Sequence, residues 1–379
     1  MSTILKENIA RTSVPFRYDI VGSFLRPQAI KEARERFAAG SITQKELTGI
    51  EDEEIVRLVA KQKEIGLKAV TDGEFRRSYW HLDFFWGFAG VEHIVLEHGY
   101  FFHGEETRAD SARLSGKLRY LGHPFLEHFR FLREAAGDKV IARQCIPAPA
   151  QFLAELVRGE NEKEIAKYYP DREELYRDIS KVYHKLILAF YELGCRNLQL
   201  DDCTWGMLCD ESFWTAMAGE GYDMQELQDL YLRLNNDAIQ GLPEDLAVTT
   251  HVCRGNYHST WATSGGYGPV AKTLFGREKV SAYYLEYDTD RAGDFAPLKE
   301  ITGDKLVVLG LITTKSGVLE DREEIIVRIK EASQYIPLER LCLSPQCGFA
   351  STEEGNILSE EEQWKKLSLI KEIAEEVWG

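Results

Sequence analysis

Short runs of β-branched and apolar residues, each closed by turn-forming residues, recur along the chain at 18–21, 69–71, 140–143, 197–200, 247–250, 281–285, 306–309 and 340–343. Runs of this length between turn signals read as strands. Between them the apolar spacing lengthens to three and four, which predicts helices over 51–65, 172–193, 223–239, 321–334 and 360–377. Strand then helix, repeated, implies a parallel sheet. Eight such repeats within 379 residues fit an α/β fold of the closed (β/α)8 TIM-barrel type better than an open doubly wound sheet. One stretch breaks the rhythm: residues 79–124 are rich in aromatics and glycine, and predict an irregular or hairpin insertion after the second strand, overhanging the barrel mouth. Nothing marks a linker or a short repeat, so residues 1–379 are expected to form a single barrel domain.

Composition narrows the partners. Lysine and arginine number 46 against 62 aspartates and glutamates, a net charge of −16, which repels phosphate backbones and anionic membrane surfaces. Nucleic acid and membrane are therefore not expected partners. The first twenty residues carry no basic flank followed by an apolar run, and no later stretch is apolar for long enough to span a bilayer, so a soluble cytoplasmic protein is expected. Seven cysteines, scattered from Cys145 to Cys347, read as reduced thiols rather than a disulfide framework.

In a barrel the chemistry collects where strands end, because the following loops converge on one face. There the chain reads GSFLRP from Gly22, DGEFRR from Asp72, CIPAPAQF from Cys145, DDCTW from Asp201, HVCRGN from His251, EYD from Glu286, GLITTKSG from Gly310 and SPQCGF from Ser344. His251 and Cys253 are two apart on an extended segment and so point to one side, where they can grip one ion. Alone, that pair reads as well as a satisfied histidine beside a buried cysteine. Glu286 ends an apolar run at a depth where a lone carboxylate is costly and wants a cation. Cys347 adds a second thiol beside a glycine that permits close backbone approach. Two thiolates select zinc over magnesium or calcium. Such an anionic ligand set is a poor generator of hydroxide but keeps a bound substrate thiolate electron-rich, which favours thiol alkylation over hydrolysis. A barrel that binds a metabolite around a structural zinc is the competing reading; structural sites usually draw ligand pairs close in sequence, whereas these come from three strand ends.

The remaining loops form a candidate cradle for an amino acid. Glu74 and Asp201 can hold an ammonium, and the Gly22 backbone with the Ser23 hydroxyl can hold a carboxylate. Asp72 and Asp202 read equally well as helix caps. The aromatics Tyr79, Trp80, Phe84, Phe85 and Trp86 read as packing for the insertion. Cys145, Cys195, Cys203, Cys209 and Cys342 read as small buried residues, with Cys203 nearest the site.

Taken together these motifs resemble the cobalamin-independent methionine synthase family, specifically its short single-barrel members, and the likeness spans nearly the whole chain. It is carried by IVGSF at Ile20, DGE at Asp72, QLDD at Gln199, HVC at His251, the glutamate of YLEYD and PQCGF at Pro345, in the order of the catalytic half of the long two-barrel enzymes. The resemblance implies zinc on His251, Cys253, Glu286 and Cys347. It implies homocysteine held by Ser23, Glu74 and Asp201, and methyl transfer to its thiol to give methionine. The donor would be a methyltetrahydrofolate (polyglutamate) or another methyl source, such as a methyl-carrying partner protein. Related enzymes with similar zinc sites open epoxides with thiols, so transfer of another alkyl group is the alternative. The donor side departs from the pattern. Lys315 stands where the long enzymes place a histidine that protonates the leaving group, Met207 replaces a glutamate of the folate site, and Phe152 and Trp205 are the aromatic candidates for stacking on the donor.

Overall fold

The computed structural model describes residues 13–379; residues 1–12, part of the stretch read as lacking a secretory signal, lie outside the described residues. The strands are β1 (Ala69–Val70), β2 (Ala89–Val95), β3 (Phe101–Phe102), β4 (Glu105–Glu106), β5 (Asp110–Arg119), β6 (Ile141–Pro147), β7 (Asn197–Asp202), β8 (Ala247–Val252), β9 (Ala282–Glu286), β10 (Leu306–Ile312) and β11 (Leu341–Pro345). Seven of them form one curled parallel sheet in the order β1-β6-β7-β8-β9-β10-β11, an α/β arrangement of the barrel type.

The first expected strand is not a regular one. Residues 17–19 pair with β11 through Asp19 N–H to Leu343 O (3.0 Å) and Leu343 N–H to Arg17 O (2.9 Å). Beyond that bridge, the Asp19 carboxylate takes the Phe16 and Ile20 amides at 3.1 and 2.8 Å, so the local side chain replaces the ladder. On the other side Phe24 N–H reaches Gly73 O at 3.1 Å, which places this segment between β11 and the loop that follows β1. β1 itself stops early because the Thr71 amide and carbonyl are both bonded by the Gln62 side chain.

The expected helices form with side-chain caps at their N-termini. Asp171, Asp223, Asp321 and Ser359 cap Arg172–Glu192, Met224–Ile239, Arg322–Ala332 and Glu360–Trp378. The helix expected at 51–65 starts earlier, at Gln44, behind a Thr43–Glu46 capping box. No helix among the described residues is long and apolar enough to cross a membrane.

Between β1 and β6 the chain makes an antiparallel β2–β5 pair and a small β3–β4 hairpin, preceded by the short helix Leu82–Phe85. Tyr79, Phe84 and Phe85 are buried there, and Phe84 and Phe85 pack the insertion against Phe125, Tyr183 and Phe152 of the flanking helices. Its polar anchor is Glu155, which accepts from Tyr100 Oη, Ser111 Oγ and the Ala112 amide (3.2 Å).

Candidate active site

β8, β9 and the loop after β11 carry His251, Cys253, Glu286 and Cys347 to one point. All four are buried, and one donor atom from each lies within 4.8 Å of the others. The two thiols are 3.7 Å apart. His251 donates Nδ1–H to Tyr284 O at 3.2 Å, since a carbonyl can only accept, which leaves Nε2 as the atom that can serve as a ligand when the ring is neutral; it is buried with no hydrogen-bond partner. Glu286 accepts the Arg254 amide on Oε1 (2.9 Å) and the Arg291 guanidinium on Oε2 (3.2 Å). Burial pushes its carboxyl up, but the charges of Lys315, Arg291 and His251 outweigh that and hold it below the usual carboxylate value. A buried histidine nitrogen without a partner, two thiols and an ionised carboxylate make a donor set that a thiophilic cation fits.

The Cys347 loop is held close by a glycine. A Cβ at Gly348 would fall 1.9 Å from Ser23 Oγ, and that hydroxyl accepts the Ala350 amide at 3.2 Å. Asn256, in the same HVCRGN loop as Cys253, bonds Gly348 O at 2.8 Å and accepts Lys315 Nζ at 2.9 Å. Lys315 is thereby tethered to the loops that carry the two thiols.

A second cluster adjoins this one. Glu74 has a left-handed backbone (φ 62°), braced by Asp72 Oδ1 accepting its amide at 2.9 Å. Its Oε1 meets Arg77 Nη1 at 3.1 Å, while Oε2 is buried without a partner. Burial, with Asp201 nearby and only partly offset by Arg77, pushes the Glu74 carboxyl up to about 7. Asp201, at the end of β7, is also pushed up to about 7 by burial, against a hydrogen bond from Gln199 at 2.9 Å and the charge of Arg77. Gly22 closes the group: a Cβ there would meet Cys145 Sγ at 2.8 Å and Glu74 Oε1 at 4.0 Å. A cavity of about 1030 Å³ lies among the helices Gln28–Ala38, Gln44–Ile65 and Phe125–Ala136, lined among others by Arg26, Arg34, Arg76 and Phe131. None of the four metal-set residues lines it.

Three expected site residues sit elsewhere. Asp202 is fully buried and already engaged, accepting the Thr204 amide (2.9 Å), Thr204 Oγ1 (2.6 Å) and Asn235 Nδ2 (2.9 Å), so it brackets the turn into the Thr204–Leu208 helix against the core. Neighbouring residues on a strand face opposite ways, so only one of the two aspartates can face into the barrel. Phe152 is fully buried, stacked on Phe85 with ring centroids 4.6 Å apart, and Trp205 is buried edge-on to Tyr231. Neither ring offers a free face to a donor.

Sequence reading missed Arg77, Arg254, Arg291 and Asn256. The spacing of Arg77 three residues after Glu74 was a usable signal; the other three depend on loop geometry. Cys203 lies against Cys253, so its closeness to the site was read correctly.

With this geometry in view, three relatives decide the family. YxjH of Bacillus subtilis (strain 168), whose activity is uncharacterised, is 47% identical over 365 residues, covering 96% of this chain and 95% of that protein. A solved structure of a proposed vitamin-B12 independent methionine synthase from Listeria monocytogenes is 44% identical, with a TM-score of 0.77 over 96% of this chain and 98% of that one. The methionine synthase of Pyrococcus abyssi is 23% identical, covering 87% of this chain and 85% of that protein. The family model for the cobalamin-independent synthase catalytic domain matches residues 222–375. The chain belongs to the cobalamin-independent methionine synthase family. The matched stretch contains all four residues of the metal set.

Proposed function

We propose that this protein is a zinc-dependent methyltransferase that moves a methyl group onto the thiol of homocysteine, giving methionine. The observation that carries the reading is the convergence of His251, Cys253, Glu286 and Cys347, all buried, beside a carboxylate pair suited to an α-ammonium. When bound, zinc would lower the thiol pKa and hold the sulfur as an electron-rich thiolate. The chain's own residues do the rest. Glu74 and Asp201 take the ammonium, Arg77 keeps Glu74 in place, and the Gly22–Ser23 segment receives the substrate carboxylate. Lys315, tethered by Asn256 and near Glu286, supplies a positive charge and a proton for the departing donor group.

With Phe152 and Trp205 enclosed, neither ring belongs to the donor site in this reading. 5-Methyltetrahydrofolate, alone or as its polyglutamate, and a methyl-carrying partner protein are the donors to compare. In this reading residues 17–22 act as the eighth stave of a closed barrel, the chain is one catalytic domain, and seven free thiols fit a reducing cytoplasm.

The test is to load purified protein with zinc, add homocysteine with each donor in turn, and measure methionine. Methionine from at least one donor, abolished in Cys347→Ser with the fold intact, supports the proposal. Unfolding of Cys347→Ser, with no thiol perturbing the metal site of the parent protein, would instead mark the zinc as structural.

A further inference from the structure

Glu286 is engaged on both oxygens before any cation is considered. Oε1 accepts the Arg254 amide and Oε2 the Arg291 guanidinium. Arg291 is itself anchored elsewhere. The same Nη2 bonds Asp288 Oδ1 at 2.8 Å, the guanidinium lies 5.3 Å from the Trp261 ring centroid, and its carbonyl accepts the Gly265 amide at 2.7 Å. Asp288 and Trp261 thus hold the cation in place whether or not Glu286 is bonded to it. A second cation stands behind the same carboxylate: Arg254 is fully buried, lies 4.3 Å over the Tyr267 ring, and has no carboxylate ion-paired to it among the described residues. His251 and the two cysteines have no comparable competitor. His251 Nε2 has no partner, and Cys253 Sγ accepts only a backbone amide, from Gly255 at 3.3 Å, beside its thiol neighbours.

The asymmetry has a direct consequence for ligand strength. A carboxylate shared with a fixed guanidinium has less charge to give a metal, and it has a partner waiting if it lets go. Two thiolates and a carboxylate already outweigh a divalent cation, so a third thiolate arriving at the ion would drive off the weakest anionic ligand. We propose that Arg291 is a carboxylate catch, a positioning residue that competes with the metal for Glu286 and so makes Glu286 the ligand that yields to an incoming substrate thiolate. This rests on the thiol-activating reading above.

The test uses Arg291→Gln and Arg291→Lys beside the parent protein. Zinc affinity without thiol is measured by competition with a chromophoric chelator. Homocysteine binding is followed in the cobalt(II)-substituted proteins by the thiolate-to-cobalt charge-transfer band. A charge-assisted hydrogen bond of the ordinary kind predicts that Arg291→Gln binds zinc about tenfold more tightly and homocysteine about tenfold more weakly, with Arg291→Lys restoring most of both. An arginine that merely braces the site gives the opposite sign: zinc affinity falls and lysine does not rescue it. That result, or unchanged zinc and homocysteine affinities in Arg291→Gln, overturns the catch. If homocysteine leaves the cobalt spectrum of the parent protein unchanged, the thiol-activating reading fails; if it perturbs parent and variants alike, only the catch fails.

Discussion

Glu74 has a left-handed backbone, a conformation that costs a non-glycine residue on the order of 1 kcal/mol, and it points a carboxylate with one unpartnered oxygen into a buried site. A fold keeps such a residue where its side chain has work to do. Its carboxyl is raised from the ordinary 4.5 to about 7, chiefly by burial. Between those values the folded protein holds a proton that the unfolded chain has released, so this group makes stability fall as pH rises through that window. A bound ammonium acts in the other direction, because it favours the ionised form. Methionine, which has no thiol to titrate, should therefore bind more weakly as pH drops below about 7. Glu74→Gln should reduce that dependence to the share carried by Asp201, which is raised to about 7 as well, and weaken binding roughly tenfold or more, the ordinary worth of a charged hydrogen bond. Calorimetric titration checks this; an affinity that is the same at about pH 6 and pH 8 refutes the role. Asp202 makes the contrast. Both aspartates of the DD pair end the same strand, and residue type alone does not separate them; strand alternation does, once the barrel face of one is known. Asp202→Ala strands the Thr204 amide and Asn235, so it should cost about 2–3 kcal/mol of stability, read from a urea midpoint, and leave methionine affinity unchanged.

At the level of elements, strand positions were legible because buried parallel strands are nearly continuous apolar runs, and their register places the chemistry. What the runs understated was length. β7, β8 and β9 continue through Asp202, Val252 and Glu286, so residues read as loop are the last rungs of strands. Polar side chains at the mouth break the apolar pattern without breaking the ladder. The 18–21 segment erred the other way: its apolar residues promised a strand, but Asp19 diverts the amides a ladder would use. Several short helices, such as Pro149–Leu156 and Thr204–Leu208, are too brief for a periodicity to register. The convergence of His251, Cys253, Glu286 and Cys347 was legible because those residue types are rare in combination at strand ends; the cations behind Glu286 were not, since an arginine in a loop carries no spacing signal. The insertion offers a test at this scale. Removing the carboxylate in Glu155→Ala takes the acceptor from the buried Ser111 hydroxyl, which keeps only the bond it accepts from Asn161, and from the Ala112 amide, at about 1–3 kcal/mol each. Amide exchange should accelerate along β5 while β7 to β10 keep their protection. Uniform acceleration across the sheet would show instead that the insertion and barrel unfold as one unit.

For the whole molecule, the question is what joins the irregular first segment to the curled sheet, since one bridge to β11 is a weak seam. The interior supplies a stronger one. Asp19 pairs with Arg143 of β6 at 2.9 Å and accepts Tyr284 Oη of β9 at 3.0 Å; Arg143 also donates to Ile20 O and to Asn197 Oδ1 of β7, both at 2.6 Å. Asp19, Arg143 and Tyr284 are all at most 1% exposed. One buried ion pair thus ties the segment to strands on several sides of the sheet. The attraction of such a pair is largely spent on desolvating it, so its presence alone is weak evidence of stability, but removing one member leaves an uncompensated charge in the interior. The single variant Asp19→Asn should accordingly cost about 3–5 kcal/mol, and the single variant Arg143→Met a similar amount. The double variant Asp19→Asn with Arg143→Met leaves no lone charge and should recover part of the loss. A denaturant series on the four proteins gives the coupling. If the two single losses simply add in the double variant, the segment is held by its backbone bridge and packing, and the ion pair is not what joins it to the sheet.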